Sequence, residues 1–360
     1  MKFGSMIALA LLAAMASLMP ASAQSVMPAV DEVVKTYVGH DSPGVAVLVM
    51  RHGKVLLMQG CGYADLRRKT PVDPHTVFDL ASVSKQMTAQ AAMLEIQEGA
   101  LKRDTKIADV LPVFKQQETG GRPLKVDDLL HHVSGLADYL DGGLNYQSDT
   151  TNAEVIDWLV QQRLERTPGS GFGYSNSGYI VLASVVAAAD HAATLKQVLE
   201  NRIWEPLDMS ETGLVTPAKG VVVATGYAGT SGDFEPSSYP TVTEGDGNVL
   251  TNLTDMAKYE HALATNELLS AKATAALFVN GKLDNGMPLK DPESGTGYGF
   301  GWELEHAAGA DYAQHTGSWM GTSTAYQRNL DSGLTVIVLA NGEDMAAADL
   351  AAEIEAAIDE

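Results

Sequence analysis

Strand-like segments lie at both ends of this 360-residue chain, and helix-like segments lie between them. Residues 44–50 and 54–59 are apolar, β-branched runs joined by Arg51-His52-Gly53, a pattern that predicts a β-hairpin. Further strand-like runs follow only at 312–315, 324–328 and 334–339. This order predicts an α+β fold, a sandwich in which helices flank an antiparallel sheet built from both termini, with an all-α region inserted.

Helical patterns fill the middle of the chain and return at its end. Residues 153–163, 178–189, 195–203 and 255–264 are predicted helices separated by Gly-, Pro- and Asn-containing loops, and a last acidic helix is predicted at 345–358. We therefore expect an α/β part at about 24–85 and 285–360 and a helical part at about 86–284. The boundary between such parts is a natural place for a cleft.

The first 23 residues have the composition of a secretory signal peptide. Lys2 precedes an apolar run at 7–18, and Ala21-Ser22-Ala23 supplies small residues for cleavage. The run is too short to span a membrane comfortably. We expect cleavage after about Ala23, a secreted or periplasmic protein formed by residues 24–360, and no stable membrane insertion after cleavage.

Charge and motif content exclude several classes of function. The formal net charge of −21 opposes binding to nucleic acid or to an anionic membrane. The sequence lacks the G-x-S-x-G elbow of α/β-hydrolases, the H-E-x-x-H zinc motif and a phosphate-binding loop. We expect neither a metal nor an organic cofactor, and a small molecule or short peptide as substrate; the sequence leaves the oligomeric state open.

Ser82 and Lys85 form an S-x-x-K motif at the start of a predicted helix that Gly99 ends. The i, i+3 spacing places both side chains on one helix face, close enough for proton exchange. The helix N-terminus adds free N–H groups and positive potential beside the serine. Taken alone, the motif is weak, since an exposed helical lysine also explains it.

Two further motifs supply polar side chains. Tyr174 and Asn176 follow the glycine-rich loop 168–173 and can present a phenol and an amide to one cavity. His315, Thr316, Gly317 and Ser318 end a short strand, predicted to lie at a sheet edge and to form the opposite wall of a cleft. Gly317 would there let a substrate backbone approach and pair with the strand.

The three motifs in this order resemble those of the serine β-lactamase and penicillin-binding-protein superfamily. Within it, the chain is similar to the branch of class C β-lactamases, DD-carboxypeptidases, D-aminopeptidases and related esterases. The resemblance covers most of the chain after residue 23 and extends to blocks at 78–81, 129–136, 245–251, 255–257, 298–302 and 338–341. It implies a β-lactamase/transpeptidase-like fold.

The resemblance also implies roles for the motif residues. Ser82 would be the acylated nucleophile, Lys85 would assist its deprotonation, and Tyr174 would shuttle the proton to the leaving group. Either Lys85 or Tyr174 could be the base. Asn176 would position substrate or Lys85, and the N–H groups of Ser82 and Ser318 would form the oxyanion hole.

The third motif departs from the Lys-Thr-Gly of many β-lactamases. His315 replaces the lysine, so permanent positive charge opposite a substrate carboxylate is lost. The sequence thus favours a peptidase or carboxypeptidase-like or otherwise β-lactamase-related serine hydrolase. An esterase of this fold and a non-catalytic penicillin-binding module are the alternatives. His131 and His132, at the end of a predicted helix, are interpreted as packing or capping residues.

Overall fold

The structure, a computed structural model, describes residues 21–117, 120–230 and 232–359. Most of the predicted signal peptide, residues 1–20, lies outside the described residues, and helix α1 (Ala21–Tyr37) begins within its last three positions. Within the described part of the chain, no helix combines the length and the apolar character that crossing a bilayer requires.

A seven-stranded antiparallel sheet is the centre of the fold, with the strand order β10-β11-β12-β13-β14-β1-β2. Strands β1 and β2, the first two along the chain, form the predicted hairpin, and β1 also pairs with β14 so that Val45 lies opposite Ala340. The sheet is thus built from both ends of the chain, as predicted. Its strands are β1 (Val45–Arg51), β2 (Lys54–Cys61), β10 (Gly297–Tyr298), β11 (Glu303–Ala307), β12 (Ala310–Trp319), β13 (Thr322–Asn329) and β14 (Leu334–Ala340).

The central strands β1 and β14 are apolar without alternation because both faces of the sheet are covered. Successive side chains point to opposite faces, so Leu48 joins the larger core while Val47 and Val49 join a smaller one. The smaller core is closed by α1 and by the C-terminal helix α10 (Ala347–Asp359), which pack against each other.

The remaining helices lie between the two sheet-forming segments and share the larger core. Gly99, with a φ of 86°, ends helix α2 as predicted, since the left-handed conformation stops the helix without a Cβ clash. These helices are α2 (Lys85–Glu98), α3 (Ile107–Val110), α4 (Val126–Leu130), α5 (Asn152–Leu159), α6 (Asn176–Ala189), α7 (Leu195–Leu199), α8 (Leu253–Thr265) and α9 (Ala271–Leu277).

Short strands that the sequence pattern did not predict lie both within residues 63–79, in the predicted α/β part, and within residues 213–251, in the predicted helical part. Strand β5 ends just before Ser82 and pairs within a three-stranded sheet of the order β5-β9-β6. This pairing fixes the segment that carries Ser82. The short strands are β3 (Tyr63–Asp65), β4 (Thr70–Pro71), β5 (Phe78–Asp79), β6 (Gly213–Leu214), β7 (Tyr227–Ala228), β8 (Glu235–Pro236) and β9 (Val249–Thr251).

Candidate active site

Ser82 lies in a 3₁₀ turn, Ala81–Ser84, that runs directly into α2. In a 3₁₀ turn, side chains three residues apart eclipse each other, which brings Lys85 over Ser82. Ala81 has a φ of +46°, an uncommon conformation for a residue with a side chain, and its N–H donates to Asp79 Oδ1 at 2.8 Å. The carboxylate thus stabilises the turn that presents Ser82.

Lys85 is fully buried, and its ammonium position is fixed by three contacts. Nζ lies 3.2 Å from Ser82 Oγ, 2.9 Å from Asn176 Oδ1 and 2.6 Å from the main-chain oxygen of Asp246. A buried lysine needs such partners because an unpaired buried charge is strongly unfavourable. The structure therefore brings three parts of the chain together around one nitrogen.

The chemistry of the three partners fixes what Lys85 can do. The oxygens of Asn176 and Asp246 are carbonyl acceptors, so two N–H bonds of Lys85 are directed at them. The third tetrahedral position faces Ser82 Oγ. It holds an N–H when Lys85 is charged and a lone pair when it is neutral, and the neutral form can accept the hydroxyl proton.

Tyr174 lies beside this pair on the loop that precedes α6. Its ring centroid is 4.9 Å from Lys85 Nζ, and with 40% of its surface exposed it lines the same cleft as Ser82. Asn176 begins α6, and its main-chain N–H donates to Asp138 Oδ2 at 2.6 Å. The first N–H groups of a helix have no partner within the helix, and the Asp138 carboxylate accepts the hydrogen bond of this one.

The third motif lies on β12, where the strand has one unpaired side. β11 pairs with β12 only as far as Gln314, so residues 315–319 are hydrogen-bonded to β13 alone. Strand β12 lies between β11 and β13 in the sheet, but its residues 315–319 extend beyond β11. This stretch therefore forms a local sheet edge, which lies beside the Ser82 turn. Ser318 and Trp319 line the cleft, and Thr316 is exposed.

His315 differs from its expected place in the cleft wall. Its side chain is 2% exposed, with Nε2 3.0 Å from the Tyr298 hydroxyl and Nδ1 2.7 Å from the Thr316 oxygen. Burial, reinforced by the charge of Lys85, lowers the pKa of His315 to about 3. The imidazole is therefore a neutral, internal group that presents no cation to a substrate.

Gly317 also has a different role from the one expected. A Cβ there would lie 2.3 Å from the Leu80 oxygen and 2.3 Å from Thr324 Oγ1. The space that a side chain would need is filled by the protein itself, not left for a substrate backbone. Gly317 thus lets β12 approach the Ser82 turn closely.

The cleft has a volume of about 140 Å³ and an aromatic wall that the motifs did not predict. The Tyr139 and Tyr146 rings lie 5.0 Å apart, and Trp319 completes the wall with its indole N–H bonded to the Tyr239 oxygen. The remaining lining residues are Asp79, Ala81, Ser82, Leu140, Tyr174, Asn176, Thr241, Thr243, Asp246, Gly247, Asn248 and Ser318.

Two carboxylates line the cleft. Asp246 is 8% exposed, and one of its oxygens accepts the Tyr139 hydroxyl at 2.8 Å. Burial raises the pKa of Asp246, and burial together with the nearby Asp246 carboxylate raises that of Asp79 to about 6. Sequence reasoning gave neither residue a role, although both lie in blocks, 78–81 and 245–251, that carried the family resemblance.

Comparison with known proteins identifies the family of this chain. The beta-lactamase family model matches residues 30–359. This chain belongs to the beta-lactamase family of serine hydrolases. It is 28% identical to penicillin-binding protein 4* of Bacillus subtilis over 83% of its length, and 28% identical to a D-aminopeptidase of Brucella anthropi over 84%. It spans 68% and 57% of the lengths of these two relatives.

Solved structures of this family share the fold. The hydrolase EstCE1, described as having promiscuous acyltransferase activity, superposes with a TM-score of 0.79 at 24% identity, covering 94% of this chain and all of that one. The expected fold and family are therefore confirmed.

Proposed function

We propose that this member of the beta-lactamase family cleaves an amide or an ester through an acyl-enzyme formed on Ser82. The observation that supports it is the 3.2 Å contact between Ser82 Oγ and a buried lysine whose other two hydrogen bonds go to carbonyl oxygens. A serine hydroxyl is a weak nucleophile until an adjacent group takes its proton. Lys85 is the group in direct contact.

In the proposed reaction, Ser82 Oγ attacks the acyl carbon while its proton passes to the uncharged amine of Lys85. The carbonyl oxygen becomes an oxyanion, which the main-chain N–H groups of Ser82 and Ser318 stabilise, at about 3 kcal/mol for each donor. Tyr174 then transfers a proton to the departing amine or alcohol, so that the bond to the acyl carbon breaks. Water then attacks the acyl carbon and gives a proton to the Tyr174 phenolate, while Lys85 returns a proton to Ser82 Oγ as the bond to the acyl carbon breaks.

The charge of the cleft selects among substrates. Its lining includes Asp79 and Asp246, while the buried, neutral His315 contributes no cation. A substrate carboxylate near the reacting carbon would meet the like charge of Asp79, while the nearby Lys85 is fully buried and directs hydrogen bonds at Asn176 and Asp246. We therefore favour short peptides, amides or esters without a carboxylate at that position over β-lactams and over peptides cleaved by a carboxypeptidase.

The aromatic wall adds a preference for the acyl group. Tyr139, Tyr146 and Trp319 provide flat surfaces suited to an apolar or aromatic side chain. The similar proteins include a D-aminopeptidase and EstCE1, a hydrolase with promiscuous acyltransferase activity, so we keep both amines and alcohols as candidate leaving groups. We also propose that the protein is exported, on the basis of the composition of residues 1–23.

Intact mass spectrometry tests the proposal. Purified protein is incubated with 4-nitrophenyl phenylacetate and, separately, with benzylpenicillin. We expect a transient adduct of the acyl mass with the ester, located on Ser82 by peptide mapping and absent in Ser82→Ala. Ser84→Ala is the matched control, because the Ser84 hydroxyl lies in the same turn but is bonded to the Val249 N–H. An ester that forms no adduct, or an adduct retained in Ser82→Ala, would reject the proposal.

A further inference from the structure

A buried histidine lies against Tyr174 and takes no part in the proposed chemistry. We propose that His132 is a positioning residue, which holds the Tyr174 loop from both sides and so keeps the phenol beside Lys85. This inference rests on the proposed function, because it assumes that Tyr174 transfers a proton.

Two hydrogen bonds, one to the main chain and one to the side chain of His132, hold the residues on either side of Tyr174. The His132 carbonyl oxygen accepts the Gly173 N–H at 2.9 Å, and its Nδ1 accepts the Ser175 N–H at 3.0 Å. His132 has a φ of +55°, an uncommon conformation that turns the chain after α4 toward this loop. The residues immediately before and after Tyr174 are thus both fixed by one histidine.

The His132 ring supports the phenol directly. The His132 and Tyr174 ring centroids are 4.4 Å apart with an interplanar angle of 32°. The imidazole is 1% exposed, and Tyr179 and Tyr298 pack against it at 4.9 Å and 4.6 Å. Because Tyr179 and Tyr298 are themselves fully buried, the imidazole has little freedom to move, while Tyr174 remains 40% exposed to the cleft.

The hydrogen bond also fixes the ionisation state of His132. A main-chain N–H can only donate, so Nδ1 must carry a lone pair and the imidazole must be neutral. Burial and the neighbouring charge of Lys85 lower the pKa of His132 in the same direction. A charged imidazole would lose the Ser175 contact and would repel Lys85.

Two substitutions separate the two kinds of contact. His132→Asn keeps a side-chain acceptor and tolerates a positive φ, but removes the ring. His132→Phe keeps a ring and removes the acceptor, leaving the buried Ser175 N–H unpaired. If the hydrogen bond sets the loop, we expect His132→Asn to retain most activity and His132→Phe to lose it.

The dependence on leaving group distinguishes positioning from general damage to the fold. 4-Nitrophenolate leaves without a proton, whereas an anilide nitrogen needs one. Comparing kcat/KM, which reports acylation, for phenylacetic acid esters and anilides, we expect His132→Phe to lower the anilide value about 100-fold and the 4-nitrophenyl ester value less than about 5-fold, the scale of general acid catalysis. Tyr174→Phe should show the same pattern, and adding His132→Phe to it should have little further effect.

The controls make each outcome decisive. His131→Asn alters the buried neighbour, whose Nδ1 contacts the Asp127 oxygen, and should leave the ratio of the two rates unchanged. Equal loss on both substrates, equal loss in His132→Asn and His132→Phe, or additivity with Tyr174→Phe would overturn the inference. Failure of the proposed function is recognised separately: Ser82→Ala would then keep full activity, whatever the ratio of ester to anilide rates in the His132 variants.

Discussion

Lys85 Nζ lies 3.2 Å from Ser82 Oγ and directs its other two hydrogen bonds at the carbonyl oxygens of Asn176 and Asp246. This arrangement gives Lys85 two roles: its N–H groups satisfy two buried oxygens, and in its neutral form its amine is the proposed proton acceptor. Substitutions at the two residues of the contact should therefore differ in their effect on stability.

Ser82→Ala should lower kcat by about 10⁴ to 10⁶, as removal of a nucleophile does in comparable hydrolases, with little change in melting temperature. Lys85→Met should lower kcat almost as far and also destabilise the protein, since each buried acceptor left unpaired costs about 1–3 kcal/mol. Steady-state kinetics and thermal melts test both. The exposed Lys102→Met is the control, and a mild kinetic effect of Lys85→Met would contradict its proposed role.

The carboxylates of the cleft should discriminate between acyl groups by charge. We expect a higher kcat/KM for 4-nitrophenyl butyrate than for the 4-nitrophenyl monoester of succinate. Asp79→Asn keeps an acceptor for the Ala81 N–H. It should lower the ratio of kcat/KM between the two esters about 5-fold at pH 7, which corresponds to roughly 1 kcal/mol between charges in a hydrated cleft.

The pH dependence has a definite sign because the pKa of Asp79 is raised to about 6. Below pH 6 the Asp79 carboxyl becomes protonated, so the ratio of kcat/KM between the two esters should fall on going from pH 7 to pH 5, and it should fall more in the wild type than in Asp79→Asn, which retains Asp246. The exposed Asp149→Asn should behave as the wild type. A pH-independent ratio in the wild type would count against a role for Asp79.

Much of the fold was predictable because its signals are local. The unbroken apolar runs of β1 and β14 indicated buried strands, and Gly99 marked a helix end. The short strands β5, β6 and β9 were missed, since segments of two or three residues have no periodicity to detect. They nevertheless help to fix the turn that carries Ser82.

The candidate site was predictable in its members but not in their orientation. The motif at 315–318 was interpreted as one wall, yet successive residues of a strand face opposite ways. His315 and Gly317 are accordingly buried, while Thr316 and Ser318 are exposed. Strand alternation alone would have predicted this. In contrast, the main-chain oxygen of Asp246 that binds Lys85 leaves no trace in residue type, so sequence reasoning could not find it.

The buried His315 should make stability depend on pH. Its pKa is about 3 in the folded protein and about 6.5 when unfolded, so the unfolded chain binds more protons between these values and stability falls as pH drops through this window. Replacing it by Gln removes this contribution. The difference in free energy of unfolding between wild type and His315→Gln should therefore change by roughly 3 kcal/mol between pH 7 and pH 4 in urea titrations. A constant difference would show that the imidazole is not held neutral.

Gly317→Ala tests whether the close approach of β12 to the Ser82 turn shapes the cleft. The new Cβ would lie 2.3 Å from the Leu80 oxygen, closer than such atoms approach, so the strand and the turn must separate. Because a displacement of about 1 Å can lower rates about 100-fold, we expect kcat to fall by that order while the protein remains folded. Gly171→Ala is the matched control, because a Cβ there meets only Arg166 Cδ at 3.7 Å. Activity within about 2-fold of wild type in Gly317→Ala would show that the close approach of β12 to the Ser82 turn is not needed for a working cleft.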